Sequence, residues 1–211
     1  MQLIMQKISN KQIHYSSGII LSLFIGLHLF NHFCSIFGAE FHISIMDSLR
    51  ILYRNIFIES LLLFAVCVQI ISGSKLILKL KKQYRLNFEN LSVWSGLYLA
   101  IFLLIHVSAV LVGRFILKLD TNFYFGVAGI NIFPLNLFFI PYYGLAIMAF
   151  FAHISAIHFK KMKYNILGLT PQKQVIVILI IGFVFSIVLF YGFTNHFEGV
   201  VIPSAYVDAL T

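Results

Sequence analysis

Five long apolar runs, parted by short polar or basic segments, set the pattern of the chain. They cover roughly residues 16–37, 55–78, 91–115, 134–158 and 174–195. A helix needs about 20 such residues to cross a hydrocarbon core about 30 Å thick. The runs are continuous instead of alternating with a period of two, which argues against a membrane β-barrel. The pattern therefore predicts an all-α integral membrane protein, a five-helix bundle forming a single domain over residues 1–211. The first run is long enough to span and lacks a small-residue cleavage site, so it reads as a retained helix and not as a signal peptide. Between the first two runs, "GAEFHISIMDSLRILYRN" has the spacing of a short amphipathic helix lying at the interface. Between the third and fourth, "LKLDTNFYFGVAGINIFP" carries the Gly and Asn of a turn. Pro134 and Pro141 bracket the start of the fourth span, and Pro171 opens the fifth.

Composition agrees with the pattern. The chain is 60% hydrophobic and 10% charged, with a mean hydropathy of +0.95. Its formal charge of +8 would suggest nucleic acid for a soluble protein, but the placement of the charge argues for topology instead. "KLILKLKKQYR" follows the second span and "HFKKMKYN" the fourth, and Lys7 and Lys11 precede the first. All three segments fall on one side of a five-span chain, so the positive-inside rule puts them and the N-terminus in the cytoplasm. Arg50, Arg54, Arg114 and Lys118 reduce this asymmetry without reversing it. The two cysteines, Cys34 and Cys67, form neither a disulfide framework nor a spaced metal motif.

The candidate chemistry lies in the histidines. "SGIILSLFIGLHLFNHF" and "SGLYLAIFLLIHVSAVL" each open with Ser-Gly and reach a His at the same spacing, Gly18 to His28 and Gly96 to His106. At about 1.5 Å per residue, His28 lies roughly 18 Å and His106 roughly 22 Å from the inner edge, a shared outer layer. His153, in "FFAHISAIHFKK", belongs to an inner layer, where the second span offers Gln69. An imidazole in lipid is costly without a partner. An interhelical hydrogen bond would satisfy one. Two at one depth, on two spans, suit bis-imidazole ligation of haem iron in the bundle core. Zinc would want more converging ligands. Gly18 and Gly96 would let a planar macrocycle or a neighbouring helix come close. Glu59 sits among apolar residues early in the second span, as a proton relay or as a partner for Arg54. Arg114 and Arg50 are placed either to hold haem propionates or to snorkel at the outer boundary. His32 follows His28 by one turn and either bonds a propionate or sits at the interface. His14, His42 and His196 lie near termini or loops and carry no clear signal.

The order and spacing of "GLHLFNHF", "GAEFHISIMDSL", "ESLLLFAVCVQIISG", "LIHV", "FFAHISAIH" and "GLTPQKQ" resemble a known family. It is the single-chain, five-helix cytochrome b subunit of succinate:quinone oxidoreductases, the succinate dehydrogenases and fumarate reductases. The resemblance implies a membrane anchor in the bacterial cytoplasmic membrane, for two soluble partners, a flavoprotein and an iron–sulfur subunit. It further implies one or two b haems and electron exchange with quinone, with Glu59 near the proton that quinone exchanges. The chain has no flavin or nucleotide motif and no cysteine cluster site, so it would not oxidise succinate alone. Carried over singly, His28 and His106 match the outer haem and His153 one ligand of an inner haem. At the remaining inner position the family expects His and this chain has Gln69. The inner haem is then absent, or five-coordinate through His153, or ligated by another residue, with His158 and Met148 the nearest. Two other readings stay open. One is a haem-free structural anchor. The other is a transporter or channel with a histidine proton path, which the lack of Gly/Pro breaks in the first four spans disfavours.

Overall fold

The computed structural model describes residues 9–78 and 88–210, so Lys7 and most of the basic segment after the second span lie outside the described residues. The described chain is helical, with no strand. The five spans are α1 (Asn10–Phe33), α3 (Ile56–Leu78), α4 (Phe88–Phe115), α6 (Asn136–Lys161) and α7 (Pro171–Phe193). Between and after them come α2 (Ala39–Tyr53), α5 (Phe123–Asn131) and α8 (Ser204–Val207).

The starts of the spans follow from capping chemistry. Ser9 and Gln12 form a capping box: the Ser9 hydroxyl accepts from the Gln12 amide, and the Gln12 side chain accepts from the Ser9 amide. Helix α1 therefore begins at Asn10, six residues earlier than the apolar run predicts, and this carries His14 into the bundle. Thr170 caps α7, with Pro171 in its first turn as expected. Pro141 lies inside α6 and not at its edge. The amphipathic helix expected after the first span is α2. The segment read as a turn before Pro134 instead folds as α5, capped by the Asn122 side chain on the Tyr124 amide.

Packing is inverted relative to a water-soluble bundle. Leu23 (69% exposed) and Phe64 (67%) face outward, whereas buried span positions include Ser17, Ala65, Ser72, Ser95, Ala152, Ser155, Ala156, Gly182 and Ser186. Small residues let backbones approach, and lipid is the solvent for the large apolar ones. The closest packing joins α4 to α6, α6 to α7, and α1 to α3. One end of the bundle is capped. There α2, α5, α8 and the segment after α7 close over the spans, and Phe123, Val127, Ile130, Ile147, Leu189 and Phe193 form a core under α5. The opposite end, here the bare end because among the described residues no short helix covers it, carries the start of α1, the end of α3, the start of α4 and the connection from α6 to α7. The start of α1 and the end of α7 therefore lie at opposite ends of the bundle.

Candidate functional site

Helices α1 and α3 pack as one pair and α4, α6 and α7 as another group, leaving a cavity of about 1450 Å³ between them. Ligand pockets are commonly about 300–1,000 Å³, so this one exceeds the space a small metabolite fills. It extends along the bundle, from His14 and His153 toward the bare end to Arg54, Arg114 and Glu59 toward the capped end.

His28 of α1 and His106 of α4 meet across the cavity with ring centroids 6.2 Å apart. Each imidazole stacks on a phenylalanine one turn earlier in its own helix: Phe24 under His28 at 5.8 Å and Phe102 under His106 at 5.1 Å. The pair therefore shares a Phe-x-x-x-His pattern, "FIGLH" and "FLLIH", which the sequence reading did not single out. Beyond His28 a chain of nitrogens runs to the capped end. His28 Nε2 shares a hydrogen bond with His32 Nε2 at 3.0 Å, and His32 Nδ1 shares one with His42 Nε2 at 3.2 Å. The Asn31 amide also reaches His42, at 3.1 Å. His32 thus lies between two imidazoles, and His42, which carried no signal in the sequence, is a buried member of the cluster.

Toward the bare end, three polar side chains each rest on a Ser-Gly pair of a neighbouring helix. Gln69 of α3 lies against Gly18 and accepts from the Ser17 hydroxyl at 2.6 Å. His14 of α1 lies against Gly73, with its Nδ1 3.0 Å from Ser72 Oγ. His153 of α6 lies against Gly96, with its Nδ1 3.1 Å from the Ser92 carbonyl and 3.3 Å from Ser95 Oγ. A Cβ added at Gly73 or Gly96 would stand 3.1 Å from the imidazole Cε1. The close approach expected at Gly18 and Gly96 is therefore made by Gln69 and His153.

Glu59 pairs with Arg114 through both carboxylate oxygens, and not with Arg54. Arg114 thus already holds one carboxylate. Arg50 bonds Asp47 at 3.1 Å and Asp120 at 2.8 Å. His196 contacts the Ile36 carbonyl.

The fit to haem can be judged on the ligand pair. Two imidazoles on one metal at about 2 Å per bond hold their ring centroids roughly 6 Å apart, the separation of His28 and His106. Haem iron needs only two axial side chains. Among the described residues no three His, Cys, Asp or Glu side chains converge as a ligand set of their own. The residues fit the group on one condition: His28 would exchange its hydrogen bond to His32 for the iron. No protein family, curated protein or solved structure compared with the chain matches it.

Proposed function

We propose that the chain is a cytochrome b membrane anchor of a succinate:quinone oxidoreductase, in which His28 and His106 would hold one b haem. The observation that carries this reading is the pair of facing imidazoles, each braced by a phenylalanine and set in an apolar cavity large enough for a porphyrin. A bound haem would supply one-electron redox chemistry between a soluble iron–sulfur subunit and quinone. The chain's own part is to hold and orient. Phe24 and Phe102 fix the planes of the two imidazoles, and lipid-facing Leu and Phe keep water from the spans. Glu59 and Arg114 line the same cavity beyond the pair and offer a carboxylate and a guanidinium to an exchanging quinone or a propionate. The flavoprotein and iron–sulfur partners dock on the cytoplasmic face, which this reading assigns to the bare end.

A haem-free structural anchor is the second reading, favoured by the hydrogen bond that already occupies His28 Nε2. A reduced-minus-oxidised spectrum of the purified protein separates the two. The first reading expects a b-type α-band that His28→Ala and His106→Ala each remove. A band that survives intact in His106→Ala would sink the assignment, and no band in the wild type would promote the second reading.

A further inference from the structure

The motif "GLTPQKQ" belongs to the connection from α6 to α7, and the cavity gives it no role. In that connection Ile166 and Leu169 exchange both backbone hydrogen bonds, at 3.1 and 2.9 Å. Leu167 and Gly168 between them stand at φ +50° and +77°. A two-residue turn with both central residues left-handed favours Asn-Gly, because Gly has no β-carbon and Asn can bond its own backbone. Leucine has neither advantage at the first of these positions. Its side chain gains no burial in exchange, since Leu167 is 96% exposed.

The turn is nevertheless held firmly. Gln174, buried in the first turn of α7, donates its amide nitrogen to the Tyr164 carbonyl at 3.1 Å and to the Leu169 carbonyl at 2.8 Å. Its Oε1 is left to accept from His158 Nε2 of α6 at 2.7 Å. One side chain thus ties both arms of the turn to the ends of both spans. Leu167 is presented on a fixed backbone, and preorganisation of this kind lowers the cost of ordering on binding.

Elsewhere in the molecule an exposed leucine faces lipid. Leu167 lies between the spans Asn136–Lys161 and Pro171–Phe193, outside both. Tyr164 and Ile166 beside it are also exposed and widen the apolar tip. Lys163 and Lys173 are exposed on either side, and the chain has no Asp or Glu between Asp120 and Glu198. A surface that fits this tip has an apolar pocket rimmed by carboxylates. Lipid headgroups would accept the same residue types, but an interfacial side chain finds its depth from many conformations and needs no locked turn.

We propose that the Leu167–Gly168 turn is the docking tip for a soluble protein subunit at the bare end. Leu167 fills an apolar pocket with an acidic rim, and Gln174 is the positioning residue. This rests on the reading of the chain as an anchor for soluble dehydrogenase subunits, and it names the surface that holds them.

The test uses the full chain in phosphatidylcholine nanodiscs. The probe is the purified flavoprotein–iron–sulfur dimer of the source organism's own succinate dehydrogenase, with affinity read by titration. Leu167→Asn removes the apolar side chain and suits the turn, so melting should hold while binding weakens about tenfold or more. Leu167→Met should bind nearly as the wild type does. Lys163→Glu combined with Lys173→Glu should weaken binding and reduce its salt dependence. Gln174→Ala leaves Leu167 in place and should weaken binding with the haem band unchanged; undiminished affinity overturns its positioning role. Equal affinity of wild type and Leu167→Asn overturns the docking tip, as does a wild type that does not bind the dimer, and a b-type α-band in the same sample shows that the haem reading still stands. Binding that Leu167→Asn weakens, in a protein with no such band, supports the tip and sinks the haem reading. Leu167→Trp in a Trp94→Phe background separates protein from lipid. Its emission should shift to the blue only when the dimer is added. Quenching by brominated phosphatidylcholine without the dimer overturns the proposal in favour of membrane contact.

Discussion

His42 is the buried end of the histidine chain and titrates against its surroundings. It is 1% exposed, with His32 and Asn31 on one side and the Arg50 guanidinium beyond it. Burial first, and then the Arg50 charge, push its pKa down to about 4. The unfolded chain binds a proton at this residue near pH 6.5, and the folded one does so only near pH 4. Stability at the capped end is therefore whole above about pH 6.5, falls as the pH drops through the window between, and levels off below about 4. At about 1.4 kcal/mol per unit, the loss reaches roughly 3 kcal/mol. Hydrogen exchange of the α2 amides in detergent, corrected for intrinsic rates, should show loosening between pH 7 and pH 5, and His42→Gln should flatten that response. A wild-type α2 equally protected at both values would refute it. Legibility at this scale depended on contrast. His28 and His106 could be read because an imidazole is anomalous inside an apolar run. His14 could not, because it precedes the apolar run, although the capping box "SNKQ" marks where the helix begins. His42 gave no sign because its burial is produced by α2 folding back over the spans.

At the scale of elements, the spans are held by glycines chosen for what lies against them. Gly192 near the end of α7 meets the turn Cys34–Phe37. A Cβ there would stand 2.2 Å from Ser35 Oγ, 2.8 Å from the Ile36 nitrogen and 2.9 Å from the Ser35 carbonyl carbon. Two of these are backbone atoms and cannot turn aside, so Gly192→Ala should force α7 off α1 at a cost of about 1–3 kcal/mol. Gly26 is the control, since nothing lies within 4 Å of its would-be Cβ. Thermal unfolding in detergent should show a clear drop for Gly192→Ala and almost none for Gly26→Ala. Equal melting of the two would remove the claim that α7 docks tightly on this turn. The same physics explains why the sequence of α5 resembles a turn. Its Gly126 and Gly129 look like turn residues in sequence, but Gly129 sits mid-helix where a Cβ would stand 2.3 Å from the Phe139 ring. Local chemistry cannot distinguish a glycine that bends the chain from one that admits a neighbour.

At the scale of the whole molecule, the five spans were legible because lipid leaves the backbone few choices. Every amide must be satisfied within its own helix, so a long apolar run can hardly be anything else. What was not legible is how unlike the two ends are. The capped end is closed by three short helices and by the ion pairs of Arg50, Arg54 and Arg114 with Asp47, Asp120 and Glu59. The bare end has lysines instead, with Lys160 bonded to the Ser92 hydroxyl and Lys161 over the Tyr15 ring. Of the 15 Lys and Arg, only Arg50, Arg54, Arg114 and Lys118 belong to the capped end. Among the described residues, Lys11 of α1, Lys75 of α3, Lys160 and Lys161 of α6, Lys163 after it and Lys173 of α7 lie toward the bare end, and Lys7, Lys79, Lys81, Lys82 and Arg85 lie outside the described residues. Positive charge near span ends fixes orientation, and acidic neighbours weigh little in that count, so the bare end should face the cytoplasm. With Cys34 and Cys67 both replaced by Ser, a single cysteine at Lys163 should resist an impermeant maleimide in intact bacterial cells and react once the membrane is opened. A single cysteine at Val201, which is 92% exposed at the capped end, should react in both. The reverse result would invert the protein in the membrane and move the docking face for soluble partners to α2, α5 and α8.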